Sequence, residues 1–346
     1  MRAFTFRAAP MWGVLLPPLL LLASDALAQS AKDAAWGTIA TRGRAAAVKG
    51  GETALTPAAV DVSPAVTFAN AQHATTGVPL RNRRTGAMAV SGVAAPVKRA
   101  YLYWAFLYLS PPPASQQVSF CKQGAGSPGD LACTVKTGAL LATGPDTCWA
   151  SNGIAVYRSD VTSSVSGNGT YAIVLPSTAS GAGGGDDPWT SGPRYFPLAE
   201  GASLVVIGSG ARTVSVYDRG IAARTFLGAF DYTLRLSGGV RSTPVIWDNI
   251  GADGQIGGSR AASSATAGEA TFVNGVRIAG PGVDTSLAGV TDGDWNGGVG
   301  SPIPQLWDVT SHSLPASAAP LGASSLTVRF TAPSDCLSPI ANVVSY

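Results

Sequence analysis

Eight consecutive residues, Tyr101-Leu102-Tyr103-Trp104-Ala105-Phe106-Leu107-Tyr108, carry five aromatic side chains and constrain the fold more than any other stretch. Successive side chains of a strand point to opposite faces. Tyr101, Tyr103, Ala105 and Leu107 then share one face, and Leu102, Trp104, Phe106 and Tyr108 share the other. Both faces are apolar, so a strand here has to be covered on both sides. Pro111-Pro112-Pro113 closes the run, which is too short for a stable helix. The octet therefore predicts the central strand of a β-sandwich. Each aromatic contributes roughly 1.5–3 kcal/mol when fully buried, before ordering entropy is subtracted.

The rest of the chain agrees with an all-β reading. Charged residues make up 12% of the sequence, while Gly and Pro number 42 and 24, a balance that suits a turn-rich β protein. Disorder is excluded by a hydrophobic content of 46%. Strands are expected at Val60–Phe68, Gln117–Cys121, Thr134–Thr143, Ile154–Arg158, Thr170–Leu175, Ala202–Gly208, Thr213–Asp218, Tyr232–Leu236, Pro244–Asp248, Gln305–Ser311, Ser325–Phe330 and Ile340–Val344. Hairpins are expected at Ala270–Ile278 and around Gly167-Asn168-Gly169. Asp160-Val161-Thr162-Ser163 recurs as Asp308-Val309-Thr310-Ser311, each ahead of a further strand. In both copies the Asp and Thr are expected to cap a turn by accepting backbone N–H bonds. The repeat suggests two related jelly-roll-like sandwiches, over 86–230 and 231–346, preceded by an N-terminal arm or edge strands over 29–85.

The first 28 residues read as a secretory signal. Arg2 and Arg7 form the basic region, Val14–Ala23 the apolar core and Ala26-Leu27-Ala28 the cleavage site. The apolar core is far short of the about 20 residues that span a bilayer. Cleavage after Ala28 leaves 318 of the 346 residues, with no later run of spanning length. Taking Arg2, Arg7 and Asp25 from 23 basic and 20 acidic residues leaves a net charge of +2. Basic residues are dense only at Arg81-Asn82-Arg83-Arg84, read as a solvated turn, so nucleic acid is not an expected partner. Four cysteines, Cys121, Cys133, Cys148 and Cys336, suit two disulfides in an exported chain, with three pairings open. Cys121 and Cys133 are placed to clip a hairpin; Cys148 with Cys336 would then tie the middle of the chain to its end.

The order of motifs resembles two known groups. Loosely, it is similar to the jelly-roll accessory domains of sugar-processing enzymes, in which an aspartate-x-threonine turn joins two strands. More closely, it resembles a family of bacterial exported and surface proteins of unassigned activity. The residues that carry this are Ala100-Tyr101-Leu102-Tyr103-Trp104, Cys148-Trp149, Asp160-Val161-Thr162, Ser203-Leu204-Val205-Val206 and Asp335-Cys336-Leu337, spread over 86–346. The resemblance implies a β-sandwich fold and a location outside the cytoplasm, and brings no catalytic residues with it.

Chemistry is sparse in the sequence. His73 and His312 lack metal-binding spacing, and His312 reads as a loop histidine without a serine elbow. The glutamates Glu52, Glu200 and Glu269 each sit beside a glycine, in expected turns. Asp292-Gly293-Asp294-Trp295-Asn296-Gly297 matches the first half of a calcium loop, through Asp292, Asp294 and Asn296. Ile303 stands where that loop needs its bidentate glutamate, and a plain turn is the preferred reading. Trp189, Trp247, Trp295 and Trp307 are expected on or near loops, as candidates to stack on sugar rings, with packing as the preferred role. The function expected is that of a non-enzymatic binding or structural protein of the envelope or extracellular space, with a glycan or an envelope protein as partner. The alternative is a secreted hydrolase using Asp186, Asp187, Asp292 or Asp294.

Overall fold

A computed structural model describes residues 60–81, 83–123, 131–145, 151–176, 196–254, 270–280 and 307–346, with the side chains of 131 and 333–336 excepted. The signal segment, Trp189, Trp295, Cys148, Glu52, Glu269, the acidic pair Asp186 and Asp187, and the Asp292–Asn296 motif lie outside these residues. So does the Cys336 thiol.

The octet is where the sequence placed it. Strand β4 (Val97–Tyr108) is paired antiparallel on one side with β7 (Gly153–Asp160) and on the other with β9 (Leu198–Ser209). Leu102, Trp104 and Phe106 enter one core, with Tyr108 packed against it. Tyr101, Tyr103, Ala105 and Leu107 enter another. β4 is thus a wall with apolar layers on both faces. Burial leaves the Trp104 indole N–H one partner, Gln116 Oε1 at 2.6 Å, which closes off the polar end of an otherwise apolar ring.

From β4 the sheet runs both ways and curls. On one side follow β7, β6 (Leu131–Gly144), β5 (Ser115–Gln123), β8 (Gly169–Val174) and β3 (Thr85–Val90). β3 comes back against β2 (Val66–Pro79), enclosing the first core. On the other side follow β9, β2, β10 (Arg212–Tyr217), the C-terminal part of β16 (Ser325–Ser345), β12 (Val245–Ala252) and β15 (Trp307–Leu314). These strands fold over the second face of β4 to make the middle core. A further sheet of β1 (Val60–Val62), β11 (Phe226–Arg235), the N-terminal part of β16, β13 (Ala270–Val273) and β14 (Val276–Ala279) covers the outer face of β12 and β16, giving the third core. The chain is therefore an all-β, layered sandwich.

Several expectations change in this setting. β2, from the stretch read as an arm or edge strands, is an interior strand between β9 and β10. The middle core draws side chains from both 86–230 and 231–346, across the boundary expected between two sandwiches. The segments read as two C-terminal strands are one strand, β16. Its register against β11 jumps between Ala332 and Cys336, where Pro333 interrupts the ladder, which is why the sequence looked broken there. β7 and β8 do not form a hairpin across Asn168-Gly169. Instead Asn168 Oδ1 accepts the Val93 amide at 2.8 Å. Asn274-Gly275 does turn a hairpin, β13–β14, with φ of 48° and 78° at the two residues.

Cys121 and Cys133 are disulfide-bonded directly opposite one another on β5 and β6, the hairpin clip expected of them. The two Asp-Val-Thr-Ser copies part company. Asp160 Oδ1 accepts from the Thr162 amide at 3.0 Å and its hydroxyl at 2.6 Å, the expected turn. Asp308 is 1% exposed and lies inside strand β15, so no turn exists there. His312, expected in a loop, is also on β15, with its ring stacked 5.4 Å from Trp247.

Candidate functional site

The middle core ends in a cleft of about 540 Å³ between the end of β6, the turn after β10 and the start of β11. Thr143, Gly144 and Pro145 form one wall. Ala222, Ala223, Arg224 and Thr225 form the second, and Phe226, Ala229, Phe230 and Asp231 the third, with Val60 at one end. Its volume falls within the ~300–1,000 Å³ typical of small-molecule sites.

The octet positions the second wall. Fully buried Tyr103 donates its hydroxyl to Asp218 Oδ2 at 2.9 Å. Arg158, one strand away on β7, pairs with the same oxygen and lies over the Tyr101 ring at 5.2 Å. Burial, and then the Asp218 charge, push the Tyr103 phenol well above its ordinary range, so it stays a donor. Asp218 then starts the turn. Its carbonyl accepts the Ala222 amide at 3.1 Å, and Ala223 donates to the Pro339 carbonyl at 3.1 Å. Ala223 takes φ of 59°, which swings its carbonyl against Gly144. A Cβ on Gly144 would stand 1.6 Å from that oxygen, so only glycine lets the two walls approach.

The third wall is aromatic. Phe226 and Phe230 lie 5.5 Å apart, and Phe226 stacks on Phe330 of the third core at 6.3 Å. β1 pairs with β11 only at Tyr232, Thr233 and Leu234, so β11 from Phe226 to Asp231 carries no neighbour among the described strands on its cleft side. Asp231 is met across the ladder by Arg329 at 3.4 Å. Arg224 is exposed, and among the described residues its guanidinium meets no ion-pair or hydrogen-bond partner.

Thr225 links the cleft to a buried ionic cluster. Its hydroxyl meets Ser338 Oγ at 2.6 Å, and Ser338 donates to Asp253 Oδ2 at 3.1 Å. Asp253 lies 3.5 Å from Arg81, which pairs closely with Glu200. The three side chains are 0–3% exposed. Two expectations fall here. Arg81 belongs to a buried ion pair, not a solvated turn, and Glu200 is a strand residue of β9 facing inward, not a turn residue. The lone sequence sign was a glutamate flanked by the apolar run Ala202–Ile207, a pattern that reads equally well as a turn.

A second ionic contact joins layers away from the cleft. His73 Nε2 on β2 lies 3.0 Å from Asp248 Oδ2 on β12, both nearly fully buried. Burial alone would raise the Asp248 carboxyl. The hydrogen bond and charge of His73, helped by the nearby Ser311 and Thr75 hydroxyls, reverse this and hold it below its ordinary value of 3.8. A carboxylate with a depressed folded pKa adds stability above its unfolded pKa and loses it as pH falls through the folded value. Thermal melts should show Asp248→Asn below the native protein by a steady margin above about pH 4, closing at lower pH. A margin that widens on acidification would refute the assignment.

Of the tryptophans proposed to stack on sugars, Trp247 and Trp307 are 0% exposed and pack in the third and middle cores on strands β12 and β15. They are therefore core residues and not a binding surface. Trp189 and Trp295, and the calcium candidates Asp292, Asp294 and Asn296, lie outside the described residues. Among the described residues no group of three or more metal-ligating side chains occurs, and no helix is long and apolar enough to cross a membrane.

No protein-family model matches the chain, and no curated protein matches it. Among solved structures it is similar to the wild type and a single-substitution variant of BuGH86, each crystallised in complex with neoagarooctaose. Both align at 9% identity and a TM-score of 0.23 over 81% of this chain. The chain spans about a third of the length of those proteins, 33% and 32%. At that TM-score the likeness carries no argument about fold or ligand.

Proposed function

We propose that this is an exported protein of the cell envelope or extracellular space that binds a glycan in the cleft beside Phe226 and Phe230, without turning it over. The observation that carries this is the cleft's make-up: an aromatic wall on β11, and hydroxyl and charged groups from the end of β6, the pinned turn after β10 and β11 itself. Sugar rings present apolar C–H faces and a rim of hydroxyls, which such a surface complements. The secretory segment supports the location, and so does the resemblance to bacterial exported and surface proteins.

A glycan array with the mature protein tests the reading. Phe230→Ala, at a half-buried position, should weaken any ligand found by about tenfold or more, since aromatic anchors dominate such contacts. No glycan retained, or equal retention by the variant, would refute cleft binding. Release of reducing ends from a retained glycan would replace the binding role with that of a hydrolase.

A further inference from the structure

We infer that the glycan is acidic, with a carboxylate or sulfate held by Arg224. The inference rests on the cleft being the glycan site. The charged groups lining it are Arg224 and Asp231. Asp231 is answered by Arg329 at 3.4 Å and is only 15% exposed. Arg224 is exposed and, among the described residues, without an ion pair or hydrogen bond from its guanidinium, although Asp231 lies on the same cleft. Among the described residues the cleft therefore presents one positive charge without an ionic partner, beside an aromatic wall. Guanidinium forks pair two N–H groups with two oxygens of a planar carboxylate or of a sulfate.

The backbone fixes where that charge sits. The Arg224 amide donates to the Ile221 carbonyl at 3.2 Å, inside the turn pinned by Asp218, Tyr103 and Arg158. Its backbone is thus held at the cleft that Phe226 and Phe230 also line. A pyranose ring against Phe230 would bring a ring substituent toward Arg224. A neutral sugar would leave the guanidinium in water and gain nothing from it.

Three polysaccharides separate the possibilities: polygalacturonate for carboxylates, dextran sulfate for sulfates and dextran as the neutral control. Binding to each is measured by affinity electrophoresis for the native protein, Arg224→Gln and Phe230→Ala, with thermal melts confirming the fold. The native protein should retain one of the acidic polymers and not dextran. Arg224→Gln should weaken that retention by about 10- to 100-fold, the range for losing a charge-assisted hydrogen-bonding pair, and flatten its salt dependence. Which acidic polymer is retained assigns carboxylate or sulfate. Acidic polymer bound equally by Arg224→Gln overturns the inference. So does dextran bound as well as the acidic polymers, and in that case loss in Phe230→Ala leaves the glycan reading standing. Failure to bind any polymer refutes both.

Discussion

Glu200→Ala should lower unfolding stability by about 3–5 kcal/mol, the range for stripping one partner from a buried ion pair. Glu200 is 0% exposed, and Arg81, its partner, is 4% exposed. Removing the carboxylate leaves a guanidinium in the interior facing Asp253 at 3.5 Å. The cost is mostly that of a buried guanidinium stripped of its closest carboxylate, not of one lost contact. The variant Glu200→Leu with Arg81→Met and Asp253→Asn should therefore be more stable than Glu200→Ala alone, because none of the three buried charges is left behind. Equilibrium denaturation of the three proteins measures this. A charge-free variant less stable than the single one would mean that the cluster stabilises by its own attraction. Because Asp253 continues through Ser338 to Thr225, glycan retention at the cleft should fall along with stability in Glu200→Ala.

That cluster also shows where the sequence stopped being informative. Local patterns carried what local physics decides. The octet's two apolar faces required two cores and found them, because period-2 alternation is a property of the strand itself. Asp160 and Thr162 cap each other within one turn, and Cys121 faces Cys133 across one hairpin. None of these needed knowledge of a distant segment. Asp308-Val309-Thr310-Ser311 repeats the letters of the Asp160 turn and is a strand, since pairing with β12 overrides the side chain's competition for backbone groups. Asn168-Gly169 failed as a hairpin for the same kind of reason: β7 found β4 and β6 as neighbours, and β8 found β3 and β5. The cleft lay furthest from sight. Gly144, Ala223, Phe230 and Asp231 are brought together by the curl of the sheet, and a lone glycine at 144 gives no sign that a carbonyl from 223 will press on it. Arg224 was one scattered basic residue among many until Asp231 was seen to be matched by Arg329.

The largest single-site effect after the ion pair should come from a slot cut for Trp307. Its indole lies 0% exposed in the middle core, with Nε1–H donating to Ser203 Oγ at 2.9 Å. It sits on the backbone of β9. A Cβ on Gly201 would come within 2.3 Å of the indole ring, and one on Gly77 of β2 within 3.0 Å of its nitrogen. Gly201 does not take a left-handed φ, so alanine there meets no backbone strain, only the ring. Trp307→Ala should cost about 3–5 kcal/mol through lost burial and the cavity left behind. Gly201→Ala should cost about 1–3 kcal/mol in the native background through overpacking. In a Trp307→Ala background the same change should cost nothing, or stabilise by about 0.5–1 kcal/mol, because alanine replaces a flexible glycine in a strand and enters empty space. If Trp307→Ala does not fold, Trp307→Leu serves as the background, with a smaller cavity and the same sign of coupling. Additive costs for the two substitutions would show that β9 and β15 are not fitted to each other at this point. β12 and β15 would then lie over β2 and β9 without the interlocking that fixes the middle core, and with it the turn that walls the cleft.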